Sequence, residues 1–244
     1  MTDWPAGIAR VVLDEVDSTS AEALRRTPTQ PTWILAHRQS AARGRRGRAW
    51  STPSGNFAAS LIWRPGDGPA RMALRSFTAS LALHDTLTAL GVQGLALKWP
   101  NDVLLEGGKL AGILLECPEP GVLVLGVGIN LLAAPRPEAV EPDALRPVSL
   151  MEATGLRVTP EAMLDALAPA FAAREAQPFD RTRADWLARA ANLHAPVTVR
   201  TMAETMQGTF DDLDADGCLM LGTSAGPRRV AAGDVFFEGV ATCS

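Results

Sequence analysis

Apolar residues gather first at 8–13, then at 33–36 and 56–63, in runs too short for helices and rich in Val, Ile, Leu and Trp, as strands require. Between the first two runs, Asp17, Ser18 and Thr19 offer side-chain oxygens suited to a helix N-cap. Glu22 then falls where a first-turn carboxylate complements the helix dipole, so a short helix is expected through Arg26. Residues 39–55 carry glycine, arginine and serine without periodicity and predict a loop. The longest helical pattern spans 70–90, where Met72, Leu74, Phe77, Leu81, Leu83 and Leu87 make a wide apolar face.

Two further strands are expected at 95–98 and 103–105, broken at Pro100, then a turn at Glu106-Gly107-Gly108. Strands at 109–116 and 122–130 follow around Pro118, Pro120 and Gly121, and such short connections imply antiparallel pairing. A proline-rich loop crosses at 133–148, and helices follow at 149–154, 160–175 and 180–191, with Thr159 capping Pro160. From His194 the pattern changes to short strands at 197–200, 206–213, 218–221, 228–230 and 234–237, with Asp214-Ala215-Asp216-Gly217 as a turn. The pattern predicts an α/β chain in two parts, 1–192 and a small β-barrel module at 193–244.

Composition narrows the function. The 244 residues are 47% hydrophobic and 20% charged, enough for a packed core and no case for disorder. A net charge of −4 gives no general attraction to nucleic acid. Cys117, Cys218 and Cys243 have neither CxxC nor Cys/His spacing, which argues against a disulfide framework and a zinc site. The N-terminus has no basic region leading into an apolar core, and no apolar run nears the ~18 residues of a membrane span, so the expected location is cytoplasmic.

Against that acidic background, Arg43-Gly44-Arg45-Arg46-Gly47-Arg48 stands out as a local cluster. Such a run in isolation most often reads as a nucleic-acid patch, a localisation signal or a solvated loop, and between two strands it also suits a lid whose guanidinium forks and backbone N–H groups bind an anion. Lys98-Trp99-Pro100-Asn101-Asp102 reads either as a turn with a core tryptophan or as a site where Asp102 ligates Mg²⁺ and Asn101 bonds a phosphate or ribose. Lys109 opens an otherwise apolar strand after two glycines. It is either a snorkelling surface residue or a charge that stabilises a reacting carboxylate and phosphate. Ser18 and Thr19 cap a helix and could also touch a ligand, and Trp50 is either core or a stacking platform. Gly126-Val127-Gly128-Ile129-Asn130 is not a dinucleotide fingerprint, and His37, His84 and His194 are too scattered to mark a catalyst.

In order, Asp17-Ser18-Thr19, residues 39–50, 98–103, 109–114 and 126–131 resemble the biotin protein ligases over nearly the whole chain. The resemblance implies a mixed sheet flanked by helices, related to class II aminoacyl-tRNA synthetases and lipoate ligases, with a C-terminal SH3-like barrel. It implies a ligase that joins biotin to ATP, with Mg²⁺, as biotinoyl-5′-AMP, then biotinylates one lysine of a biotin carboxyl carrier protein domain. On that footing Ser18, Thr19, Ser20, Gln39, Arg43, Gly44, Arg45, Lys109 and Gly112 would contact biotin. Arg43, Arg46, Arg48, Trp50, Asn101 and Asn130 would contact the nucleotide, Asp102 the metal, and Lys109, Arg45 and Asp102 would carry the chemistry.

Two positions depart from the family pattern. A Gly-Arg-Gly opening reads Ala42-Arg43-Gly44 here, and Asp-Ser-Thr-Asn reads Asp17-Ser18-Thr19-Ser20, changes expected to shift kinetics rather than abolish activity. Sixteen residues precede Asp17, too few for the winged helix of the family's repressor forms, so specific DNA binding is not expected. Monomers and homodimers are both compatible with the resemblance. A lipoate or octanoate ligase of the same fold, and a non-catalytic ligand sensor using the arginines alone, are the competing readings.

Overall fold

In the computed structural model, which describes residues 3–26, 28–141 and 144–237, the apolar runs of the first half of the chain become one seven-stranded sheet. Its strands are β1 (Ala9–Val16), β2 (Thr32–Gln39), β3 (Phe57–Trp63), β4 (Leu95–Lys98), β5 (Asp102–Leu105), β6 (Gly108–Glu116) and β7 (Leu123–Ile129). They lie in the order β1-β2-β3-β7-β6-β5-β4. From β4 to β7 the pairing is antiparallel, as the short turns require. β1 and β2 are parallel, which the intervening helix α1 (Thr19–Arg26) makes feasible by returning the chain to its starting end.

The helical pattern at 70–90 forms two helices rather than one, α2 (Pro69–Ala73) and α3 (Arg75–Ala89). A side-chain hydrogen bond accompanies the break. The Arg75 guanidinium donates to the Arg71 carbonyl at 2.8 Å, the acceptor that the Arg75 amide would use in a continuous helix. α4 (Leu150–Thr154) and α5 (Pro160–Glu175) follow the expected positions, capped by the hydroxyls of Ser149 and Thr159. α6 (Phe179–Leu187) stops short of residue 191, because the chain there pairs beside β4: Leu97 N–H donates to Arg189 O at 2.9 Å and Ala191 N–H to Leu97 O at 2.7 Å.

The last strands, β8 (Pro196–Arg200), β9 (Thr205–Leu213), β10 (Leu219–Thr223), β11 (Gly226–Val230) and β12 (Asp234–Phe237), form an antiparallel sheet in the order β11-β10-β9-β8-β12. That arrangement is consistent with an SH3-like module, and among the described residues its edge strands β11 and β12 do not pair to close a barrel. It is packed firmly on the first part: one cluster of buried side chains runs from Trp33 and Leu81 through Trp186 to Val197 and Phe210. The Trp99 indole N–H donates to Gly217 O at 3.0 Å, tying the break after β4 to the expected turn at 214–217. Together these contacts hold the edge of the second sheet over one end of the first.

Candidate active site

At that end lies a cavity of about 580 Å³, walled by β6 and β7, the arginine loop, the crossing segment after β7, and β8 and β12. Its floor is made by missing side chains. A Cβ on Gly128 would stand 2.5 Å from Trp50 Nε1, one on Gly112 3.3 Å from Trp50 Cζ3, and one on Gly126 3.0 Å from Ser20 Oγ. The Trp50 indole therefore lies flush on strand backbone, a close approach only glycine permits. The run 126–130, unremarkable as a motif, supplies this floor.

One end of the cavity is neutral and rich in hydroxyls. Ser18, Thr19 and Ser20 are buried at the start of α1, and Thr19 gives both its N–H (2.7 Å) and its hydroxyl (3.1 Å) to Gln39 Oε1. Ser60, wholly buried in β3, meets Thr19 Oγ1 at 2.8 Å and Ser20 Oγ at 3.0 Å. Gln39 donates its amide to Thr52 Oγ1 at 3.2 Å. This connected set presents donors and acceptors in fixed orientations, suited to a neutral polar ring.

The other end is cationic. Lys109 Nζ is 2.8 Å from Asp102 Oδ1, and Lys98 Nζ is 3.9 Å from Asp102 Oδ2. Burial pushes the Asp102 carboxyl upward, but Lys109 and Lys98 outweigh it and hold the group below its ordinary value, so it stays ionised. Burial lowers the Lys98 ammonium, against the pull of Asp102. Asp102 Oδ1 is buried and meets only the Lys109 ammonium among the described residues, so this ionised carboxylate has remaining acceptor capacity toward a hard cation arriving with phosphates. Among the described residues no group of three or more His, Cys, Asp and Glu side chains gathers for a metal ion.

The arginine loop closes over both ends. Its backbone folds back on itself, with Gly44 N–H donating to Arg48 O at 2.7 Å and Trp50 N–H to Ala42 O at 3.0 Å. Arg45 donates to Asn101 Oδ1 at 3.2 Å, and Asn101 donates in turn to Ile113 O. Asp234, at the start of β12, takes Arg46 at 2.9 Å and Arg48 at 3.0 Å, with Arg45 at 3.8 Å. Asn130 donates to Val148 O at 3.1 Å and so anchors the crossing segment, while its buried Oδ1 has no hydrogen-bond partner among the described residues.

Ser18, Thr19, Ser20, Gln39, Arg43, Gly44, Arg45, Arg48, Trp50, Asn101, Asp102, Lys109, Gly112 and Asn130 all line this one cavity, and Arg46 alone of the candidates does not. The three histidines are not in its wall either. Sequence reasoning missed Ser60, Lys98 as an individual contributor, and the β8 and β12 residues Arg200, Asp234, Phe236 and Phe237. Lys98 carried a signal, a charge closing an apolar strand. The C-terminal residues carried none, because only tertiary packing brings them here.

Comparison with known proteins follows the same lines. Residues 12–131 match the biotin/lipoate A/B protein ligase family, and residues 195–238 match the biotin protein ligase C terminal domain. The biotin–[acetyl-CoA-carboxylase] ligase of Paracoccus denitrificans is 49% identical over 93% of this chain and 100% of its own. The ligase of the same name from Mycobacterium tuberculosis is 35% identical over 92% and 87%. In fold, the chain is similar to the Aquifex aeolicus biotin protein ligase solved with biotin and ATP, with a TM-score of 0.83 and 23% identity over 93% of this chain and 97% of that one.

Proposed function

The chain belongs to the biotin protein ligases, and from that premise we propose that its cavity activates biotin with MgATP and passes it to a lysine of the biotin carboxyl carrier domain of acetyl-CoA carboxylase. The observation that carries this reading is the polarity of one cavity, neutral hydroxyls and an amide at one end, two lysines and a carboxylate at the other, joined by a glycine floor. A bicyclic urea with an acyl chain ending in a carboxylate has that sequence of chemistries.

In this reading Ser18, Thr19, Ser20 and Gln39 take the ureido ring, and Gly112 leaves room for the chain beside Trp50. Biotin's carboxylate and the triphosphate repel each other until Lys109 and Arg45 neutralise them. A carboxylate oxygen then attacks the α-phosphorus, and the bond to the pyrophosphate oxygen breaks. Asp102 would hold the magnesium that accompanies ATP, which would supply further positive charge at the phosphates, while Arg43, Arg48, Trp50, Asn101 and Asn130 surround the nucleotide and Arg46, outside the cavity wall, braces the loop through Asp234. In the second step the acceptor amine attacks the acyl carbon and AMP leaves, while the arginine loop keeps water from the mixed anhydride. No enzyme nucleophile is required, so positioning and charge carry the reaction.

We assign residues 1–192 to catalysis and 193–244 to the C-terminal module. The matched C-terminal domain favours biotin over lipoate or octanoate. Incubation with biotin, MgATP and an apo carrier domain tests the whole reading. One biotinyl group on one carrier lysine, detected by mass spectrometry, is the expected product, and an unmodified carrier would overturn it.

A further inference from the structure

We propose that Lys98 is a further substrate-binding residue, whose ammonium receives the β- and γ-phosphates of ATP and neutralises pyrophosphate as it departs, with Phe237 of the C-terminal sheet holding it in place. The inference rests on the adenylation reading above.

Lys98 ends β4 and is 9% exposed, yet among the described residues no hydrogen bond reaches its ammonium. Its nearest carboxylate oxygen, at 3.9 Å, is beyond hydrogen-bonding distance and belongs to Asp102, whose other oxygen lies 2.8 Å from Lys109. A buried lysine with three donors and no acceptor is costly unless an anion comes to it. The charges around it say the same. Asp234 pairs with Arg46 and Arg48 and lies 3.8 Å from Arg45, so two carboxylates, Asp102 and Asp234, face five cations, Lys98, Lys109, Arg45, Arg46 and Arg48. That surplus of positive charge faces the cavity.

The two lysines stand on different sides of Asp102. Lys109 Nζ lies 5.6 Å from the Trp50 ring, beside the glycine floor, where the acyl chain would run. Lys98 Nζ lies 5.8 Å from the Phe237 ring, toward β12 and away from that floor. Lys109 is thus placed for the acyl-phosphate and Lys98 for the leaving group. When the carboxylate oxygen bonds to the α-phosphorus, the electron pair of the breaking bond goes to the pyrophosphate oxygen, where Lys98 meets it as a cation and keeps its protons. The arrangement also gives β12 a part in the first half-reaction, since Phe237 fixes the lysine through its ring face.

The test separates the half-reactions in Lys98→Met, Lys98→Arg and Phe237→Leu. Lys98→Met should lower kcat/KM for MgATP in biotin-dependent pyrophosphate exchange about a hundredfold, the usual effect of losing one preorganised donor. It should weaken inhibition by added pyrophosphate, and leave transfer from supplied biotinoyl-5′-AMP to the carrier within about twofold. Lys98→Arg should recover most of the exchange, and Phe237→Leu should lose it severalfold with transfer intact. Wild-type exchange kinetics in Lys98→Met, or equal losses in both half-reactions, would overturn the assignment alone. Absence of exchange in the wild type would overturn the adenylation reading and this inference with it.

Discussion

Asp234→Asn tests whether the C-terminal sheet holds the arginine loop shut. The carboxylate is 14% exposed and takes Arg46 at 2.9 Å and Arg48 at 3.0 Å, with Arg45 at 3.8 Å. Hydrogen bonds to a charged group are worth about 1.5–3 kcal/mol each when shielded. Arg46 and Arg48 are 34% and 44% exposed, which reduces that toward the surface-pair value of about 1 kcal/mol or less. Asparagine keeps the volume and one acceptor, so the closed loop should lose about 1–3 kcal/mol in all, a shift in its open population of roughly 5–150-fold. The loop reports on itself, because its arginines are trypsin sites. Limited trypsin digestion should cut Asp234→Asn between residues 43 and 48 faster by that factor, with the rest of the chain cut at wild-type rates. The same variant should release biotinoyl-5′-AMP sooner. Equal cleavage of the loop in both proteins would refute the latch, whatever happened to activity.

Lys109→Ala should lower turnover in pyrophosphate exchange by about 10²–10³, and near-wild-type adenylation would remove Lys109 from the chemistry. Gly128→Ala would bring its Cβ within 2.5 Å of Trp50 Nε1, forcing the indole off the floor. Overpacking of about 1–3 kcal/mol should raise the KM for biotin about 5–150-fold, and an unchanged KM would show that Trp50 moves freely. Asp17 is held at about 2, from 3.8, first by its hydrogen bonds from Arg25 and then by the Ser18 N–H. A depressed carboxyl stabilises the fold above its ordinary value and loses that contribution as pH falls toward about 2. Asp17→Asn should therefore be less stable than wild type near neutrality, with the gap closing through acid and shrinking in high salt, because both side chains are about half exposed. A gap that persisted at pH 2 would contradict this assignment.

Most of the seven-stranded sheet was legible because its strands are local objects: apolar runs such as 33–36 and 56–63 bounded by turn residues predict themselves. Order within the sheet was not. β3 pairs with β7, from Phe57 opposite Ile129 to Trp63 opposite Leu123, and periodicity holds no record of so distant a partner. The break at Leu74 escaped because it coincides with a contact of the Arg75 side chain, which also pairs with Asp67 and with Glu175 from a distant helix. Within the site, Lys109, Asp102 and the arginines were legible as charges out of place in apolar or glycine-rich surroundings. Ser60 looked like a small residue in a strand, and its role depends on Thr19 and Ser20 meeting it across the sheet. Asp234 was invisible as a latch, since its three arginines come from the far end of the sequence.

Whether this cavity adenylates biotin is decided by ATP–pyrophosphate exchange with purified protein and biotin, lipoate or octanoate as the acid. Exchange should depend on biotin and on magnesium and be absent with the other two acids. Exchange with lipoate or octanoate in place of biotin would overturn the substrate, and no exchange with any acid would overturn the catalytic assignment itself.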